Sequence, residues 1–127
     1  YMADIGLLTS MLEDGTQASI LQGNLLGYKG AIFENLVADI LGKMGRRLYY
    51  YHKDGGIELD FVIRYCGECV PVECKATTGN SKSLRTVLKH PEKYHVNYCI
   101  KLGDYNIGRK ENIFTIPMYM AFMLTSV

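Results

Sequence analysis

A chain of 127 residues, 48% apolar and 21% charged, with three Pro and no Trp, has the makings of one compact domain and excludes a disordered or collagen-like chain. Fourteen Lys and Arg against thirteen Asp and Glu leave a formal net charge of +1, too balanced for a domain that coats nucleic acid by charge alone. The richest apolar stretch, 118–124, is far short of the roughly 18 residues of a membrane span, and a core of this size needs no disulfide scaffold from its four cysteines. The chain opens on Tyr1 without a basic and apolar leader, which reads as a piece of a larger cytoplasmic protein whose thiols are reduced.

Ile5, Leu8, Met11 and Leu12 recur at helical spacing up to the Asp14-Gly15 turn signal and predict a short helix over 4–13. A looser polar segment follows to Gly30. Phe33, Leu36, Val37, Ile40, Leu41 and Met44 then fill one stripe of an amphipathic helix ending near Gly45. Three strands are expected at 47–52, 57–65 and 69–76. The first turn is Lys53-Asp54-Gly55-Gly56; the second, Cys66-Gly67-Glu68-Cys69, makes the second and third strands an antiparallel hairpin. After a polar loop at 77–80, Ser81 reads as the N-cap of a helix carrying Leu84, Val87 and Leu88 and closing near Pro91. Strands at 96–102 and 112–116 and an apolar terminal segment complete the chain. The order helix-strand-strand-strand-helix-strand predicts an α/β fold with a mixed sheet and flanking helices.

Charge falls where those strands should be apolar: Glu58 and Asp60 in one, Glu73 and Lys75 in the next. With the turn centred on Gly67-Glu68, Asp60 would face Lys75 and Val62 would face Glu73. Alternation would then put all four charges on one face, and Leu59, Phe61, Ile63, Val72 and Cys74 on the other. Carboxylates this close need a counter-charge. Lys75 supplies one, and a hard divalent cation held by one or two carboxylates supplies more, which points to metal-assisted phosphoryl chemistry. An ordinary solvated sheet face with a cross-strand Asp60–Lys75 pair is the plain alternative.

Glu34 in a helix, Asp60 in a strand and Glu73-Cys74-Lys75 in the next strand resemble the PD-(D/E)xK nuclease superfamily and its restriction-endonuclease-like core. Asp4-Ile5-Gly6-Leu7-Leu8, Gly30-Ala31-Ile32-Phe33-Glu34-Asn35-Leu36-Val37, Glu58-Leu59-Asp60-Phe61-Val62, Val72-Glu73-Cys74-Lys75-Ala76 and Ile116-Pro117-Met118-Tyr119 together look like the domain of unknown function at the C-terminus of prokaryotic AAA+ type ATPases. The resemblance covers nearly the whole chain. It implies that Asp60, Glu73 and the backbone carbonyl of Cys74 ligate Mg²⁺ or Mn²⁺, that Glu34 approaches as a further metal or water ligand, and that Lys75 orients or deprotonates the attacking water. Glu58 is the weakest member of the set. The Pro that precedes the aspartate in the superfamily is Leu59 here.

By the same resemblance the domain is 30–127, with 1–29 a helical segment that packs on an ATPase module upstream. The implied partners are nucleic acid, DNA above all, and that ATPase, with no membrane, and with a homo-oligomer where two strands are cut. Two functions stand: a metal-dependent nuclease, and a catalytically inactive nuclease-like binding or regulatory module. No G-x-x-x-x-G-K-[ST] phosphate loop occurs, so these residues are not themselves the ATPase.

Other features take plainer readings. Lys82, Arg85, Lys89 and Lys93 form a basic stripe that could track a phosphate backbone near the metal, but a solvated helix face is the preferred reading. Cys66 and Cys69 have zinc-knuckle spacing but no second knuckle, and read as reduced thiols beside a turn. Tyr49 and Tyr51 share a face on which bases could stack, though pairing with the neighbouring strand explains them equally well. His52, His90 and His95 suggest no common site.

Overall fold

The computed structural model describes residues 1–24, 27–76 and 80–125, so most of the expected 77–80 loop lies outside the described residues. Two short helices, α1 (Ile5–Ser10) and α2 (Thr16–Leu21), precede the long α3 (Lys29–Lys43). Then come β1 (Tyr49–Lys53), β2 (Ile57–Tyr65), β3 (Glu68–Lys75), α4 (Lys82–Leu88), α5 (Pro91–Tyr94), β4 (Cys99–Gly103), β5 (Gly108–Lys110) and β6 (Ile113–Pro117). A 3₁₀ helix (Met118–Met123) follows. The strands form one six-stranded mixed sheet in the order β1-β2-β3-β4-β6-β5. The β1–β2–β3 meander and the β5–β6 pair are antiparallel, while β3, β4 and β6 run parallel. The predicted α/β class, mixed sheet and order of the main elements are what the chain adopts.

Helices cover both faces of the sheet. On one, Val37, Ala38 and Leu41 of α3 meet Phe61, Ile63, Val70, Val72, Cys74, Ile100 and Leu102, closed off by Ala121 and Leu124. On the other, Leu84 and Val87 of α4 pack on Leu59, Val96, Cys99 and Ile113. Residues such as Leu41 and Val72 are fully buried, each worth roughly 1.5–3 kcal/mol of apolar transfer. The stripe read from α3 is the core face at Val37 and Leu41, with Ile40 and Met44 packed against it, while Phe33 and Leu36 are only half-buried. That of α1 is not, because Met11 stays 73% exposed.

The hairpin register departs from expectation in two ways. Tyr65 pairs with Glu68 and Phe61 with Val72, so the turn is the two-residue Cys66-Gly67 and the strands are offset by two from the predicted pairing. Both turn residues have positive φ, 49° and 80°, the requirement of a type I′ turn, whose twist matches that of the strands it joins. The second departure is a bulge. Tyr49 pairs with Val62 but Tyr51 with Leu59, so β2 carries one extra residue between Leu59 and Val62. Leu59 therefore lies on the α4 side with Ile57 and Val62, not with Phe61, Ile63, Val72 and Cys74.

Arg46 ties the loop after α3 to the rest of the domain. Its guanidinium donates to the carbonyl of Leu124 from Nε at 2.8 Å and Nη2 at 2.5 Å, and from Nη1 to the carbonyl of Arg64. The N-terminal segment is held by Asn35, a buried amide that accepts from the Met2 N–H at 2.6 Å and donates to the Met2 carbonyl at 3.0 Å.

Candidate functional site

The bulge decides where the charged residues go. It breaks alternation at Asp60, so the four charges do not share one face as the sequence reading expected. Glu73 and Lys75 alternate with the core residues Val72 and Cys74 and lie on the α4 side of β3, where Glu73 acts electrostatically on Cys99. Asp60 instead groups with Glu34 of α3 and with Tyr1, whose ring packs on Phe61 at 5.3 Å between centroids. These two sets meet where the β2–β3 ladder ends. Beyond the Phe61–Val72 pair the Asp60 carboxylate takes the next N–H, that of Cys74, at 2.8 Å.

Lys75 does not pair with Asp60. Its ammonium sits 2.6 Å from Glu73 Oε1, two residues back in the same strand. The Glu73 side chain is only 7% exposed, and its other oxygen, Oε2, is buried without a hydrogen-bond partner among the described residues. A buried carboxylate oxygen with no partner carries a desolvation cost of the order of 1–3 kcal/mol or more. It is a feature that a bound cation or water would relieve.

The electrostatics follow from crowding acidic groups on a half-buried floor. Burial, then the charges of Asp60 and Glu58, push the Glu34 carboxyl above its ordinary value, with Lys75 opposing. Burial also pushes the Asp60 carboxyl up, with Glu73 and Glu58 adding to it, against the Cys74 N–H and Lys75. For Lys75, burial works against the charged form, but the Glu73 hydrogen bond and the charges of Glu73, Asp60 and Glu34 outweigh it, and its pKa is raised. The phenol of Tyr1 is pushed up to about 12 by burial and then by Glu34 and Asp60. The Cys74 thiol, buried beside the same carboxylates, is pushed far up and is inert as a nucleophile.

Asp60 and Lys75 thus feel the charges of their acidic neighbours, but the site residues do not all converge. Among the described residues no three His, Cys, Asp or Glu side chains lie close enough together to hold a metal ion. Lys75 occupies one Glu73 oxygen, and the Cys74 N–H occupies one Asp60 oxygen. What the site offers is two carboxylates at a ladder's end, a third from α3, and a cation among them. Mg²⁺ is commonly held by one or two carboxylates and keeps several waters, so a hard, oxygen-loving cation fits this donor set.

Three supporting residues were not singled out in the sequence. Asn35, a polar residue beside an apolar stripe, fixes the Met2 backbone next to Glu34. Gly103 pairs with Lys75, and a methyl group there would lie 2.6 Å from the Lys75 carbonyl oxygen. Ser83 of α4 accepts the Glu58 N–H at 3.3 Å, bringing the start of α4 against the acidic end of β2. Elsewhere, Tyr51 meets Tyr94 edge-on at 6.1 Å, which takes it out of the base-stacking face that the sequence suggested. All four cysteines are free, with Cys66 and Cys69 exposed. No described helix is long and apolar enough to cross a membrane.

A family model described as Domain of unknown function (DUF4143) matches residues 29–121, which takes in α3, the sheet and every candidate site residue. No curated protein and no solved structure matches the chain.

Proposed function

The chain belongs to the family Domain of unknown function (DUF4143), and from the residues that it brings together we propose a metal-dependent nuclease domain with a restriction-endonuclease-like core. The carrying observation is the Glu73 carboxylate: buried, one oxygen on Lys75 and the other unpartnered, beside the point where Asp60 interrupts the ladder. Stability alone does not favour such an arrangement. An isolated carboxylate in a core is costly, and a domain with six strands and two helical layers could fill that position with an apolar residue.

In this reading Asp60, Glu73 and the backbone carbonyl of Cys74 would hold Mg²⁺ or Mn²⁺, with Glu34 acting on its water, since no three carboxylates among the described residues stand close enough to share one ion. The ion supplies Lewis-acid stabilisation of charge on the phosphoryl oxygens. Lys75, held protonated by its carboxylate neighbours, orients the attacking water and stabilises developing negative charge; a lysine whose pKa is raised is a poor base. Glu34, whose carboxyl is raised above its ordinary value by burial and by the charges of Asp60 and Glu58, is the better group to take the water's proton. Tyr1 and Phe61 form an apolar wall beside it.

The substrate in this reading is DNA, and two copies would act together where both strands are cut. An ATPase module of the same parent chain would adjoin α1 and α2, where Leu7, Leu21 and the Met11 that caps α1 are exposed at 56%, 89% and 73% and offer apolar surface to it. Titration calorimetry of Mn²⁺ into the wild-type domain and into Asp60→Asn tests the site. Binding to the first that is lost in the second supports it, and Lys75→Ala must then abolish metal-dependent cleavage of DNA. Cleavage by Lys75→Ala at the wild-type rate would sink the mechanism.

A second reading has its own support. The Glu73–Lys75 ion pair, and the lack among the described residues of three ligating side chains close enough to share an ion, are what an inactive, nuclease-like binding or regulatory module of an ATPase would retain. No heat of Mn²⁺ binding in the presence of oligonucleotide, together with unchanged oligonucleotide affinity in Asp60→Asn, would favour it.

A further inference from the structure

The near-zero net charge hides a strong segregation. Of fourteen Lys and Arg, eight fall between Lys75 and Lys110, a stretch holding only two of the thirteen carboxylates, Glu92 and Asp104. The fold concentrates several of these cations on one surface. Lys82, Arg85 and Lys89 project from α4 opposite its buried Leu84 and Val87, and all three are exposed. At the C-terminal end of α4 the turn between β5 and β6 comes alongside. Arg85, Leu88 and Lys89 there enclose, with Lys110, Glu111 and Asn112, an open polar cleft of about 460 Å³. Lys110 is far from α4 in sequence, so the basic stripe alone does not reveal this cleft.

Among the described residues none of Lys82, Arg85, Lys89 and Lys110 is in an ion pair, whereas Lys43, on the opposite side of the sheet, pairs with Asp39. The carboxylate in the cleft, Glu111, has a left-handed backbone (φ 55°), and its carbonyl oxygen accepts from Arg109 Nε at 2.8 Å, which fixes the turn. The other end of α4 leads to the candidate site. Lys82 begins the helix and Ser83 accepts the Glu58 N–H, so the cations run from the acidic end of β2 to the β5–β6 turn. From Lys82 to Lys89 is about 10 Å along the helix axis, the rise of about three nucleotides of one strand.

We infer that the α4 stripe and the Arg85–Lys89–Lys110 cleft form a track for the sugar–phosphate backbone of a nucleic-acid strand, leading a phosphodiester to the Glu58–Asp60 end of β2. The direction of the track rests on the function proposed above; its existence does not. Lys and Arg side chains along a groove fix register on phosphates without reading sequence, so the track takes DNA or RNA of any sequence. Asn112 adds a neutral donor to the same cleft. A nuclease domain with a near-neutral surface needs such a local contact, because an acidic site by itself repels its substrate.

The test is fluorescence anisotropy of labelled single-stranded DNA, duplex DNA and RNA in EDTA, so that binding is read without turnover, over about 50 to 200 mM salt. The wild-type domain is compared with the triple variant Arg85→Ala, Lys89→Ala, Lys110→Ala and with Lys43→Ala, each checked for folding by circular dichroism. For single strands the triple variant should flatten the slope of log affinity against log salt by about two, and Lys43→Ala should leave it unchanged. The strand type bound most tightly identifies which nucleic acid the track takes. Equal slopes in wild type and triple variant, or no binding at all, would overturn the inference. So would competition by polyglutamate as strong as that by an oligonucleotide of equal charge, which would assign the surface to an acidic protein. Binding through these residues without metal-dependent cleavage would refute the nuclease and leave the track standing.

Discussion

The Asp60 carboxylate accepts the backbone N–H of Cys74 at 2.8 Å, so one side chain both ends the β2–β3 ladder and anchors the candidate site. Strand pairing and site chemistry are coupled at this residue. The coupling separates two substitutions that would otherwise look alike. Asp60→Asn keeps an acceptor oxygen for Cys74, while Asp60→Ala leaves a buried N–H without one and should cost about 1–3 kcal/mol in denaturant unfolding. Both should lose Mn²⁺ binding. Equal stability of the two variants would show that the hydrogen bond does not hold the hairpin.

The raised carboxyl pKa values at Asp60 and Glu34 make apo stability depend on pH. Their ordinary values are 3.8 and 4.5, and burial raises both in the folded state. As pH climbs from those ordinary values through the raised ones, the unfolded chain gives up its protons first, the folded state holds more, and stability falls. Asp60→Asn removes one such group. It should therefore gain stability relative to wild type as pH rises from about 4 to 7, measured as the shift in denaturation midpoint in EDTA. Wild type and Asp60→Asn keeping a constant difference over that range would contradict the burial argument.

Lys75 gives the same slope at higher pH, but there the protonated form is the charged one. Its folded pKa is raised above the ordinary 10.5, so its charge contributes stability below that value, lost only as pH rises through the raised one. At neutral pH Lys75→Met removes the cation that offsets Glu73, Asp60 and Glu34 and leaves Glu73 buried with neither oxygen paired to it. Breaking one partner of a buried pair costs up to about 3–5 kcal/mol, less here because Lys75 is 30% exposed. The double variant Lys75→Met, Glu73→Gln should recover much of the loss. A double variant no more stable than the single one would show that the ion pair is not the source.

Much of this architecture was readable in the sequence, and the exceptions have physical reasons. β2 occupies 57–65 as predicted, because turn residues bound an alternating run on both sides. The stripe of α3 survives because fifteen helical residues leave few ways to bury it. The turn centre did not, since it requires a non-glycine residue, Cys66, at φ 49°. The β2 bulge left no local mark either, although it shifts the register beside Asp60. Pro91 read as a helix end but stands in the first turn of α5, where its missing N–H costs nothing. β5 is three exposed residues with no alternation to detect. Arg46 was invisible because its partner carbonyl, on Leu124, is 78 residues away.

That long-range contact gives a stability test remote from the candidate site. Arg46 donates to the carbonyls of Leu124 and Arg64 and lies over the Tyr65 ring at 5.8 Å. Arg46→Ala leaves these acceptors short of partners and should cost roughly 1.5–3 kcal/mol, the range for hydrogen bonds to a charged group. Arg46→Lys should recover less than half, because one ammonium cannot span both carbonyls as the planar fork does. A fully stable lysine variant would reduce the role of Arg46 to its charge.

Gly103 joins the sheet to the site and shows whether Lys75 is held by its backbone. It lies between Lys75 and Pro117 in the parallel ladders, and a methyl group there would meet the Lys75 carbonyl oxygen at 2.6 Å and the Tyr105 ring at 2.6 Å. The ring can turn away, but the carbonyl belongs to β3 and cannot move without shifting Lys75. Gly103→Ala should therefore cost roughly 1–3 kcal/mol, as overpacking in a core does. Adding Tyr105→Ala relieves the ring contact alone, so Mn²⁺ binding should stay weakened in the double variant even where stability partly returns. Full recovery of metal binding in the double variant would mean that the ring, and not the Lys75 backbone, transmits the strain.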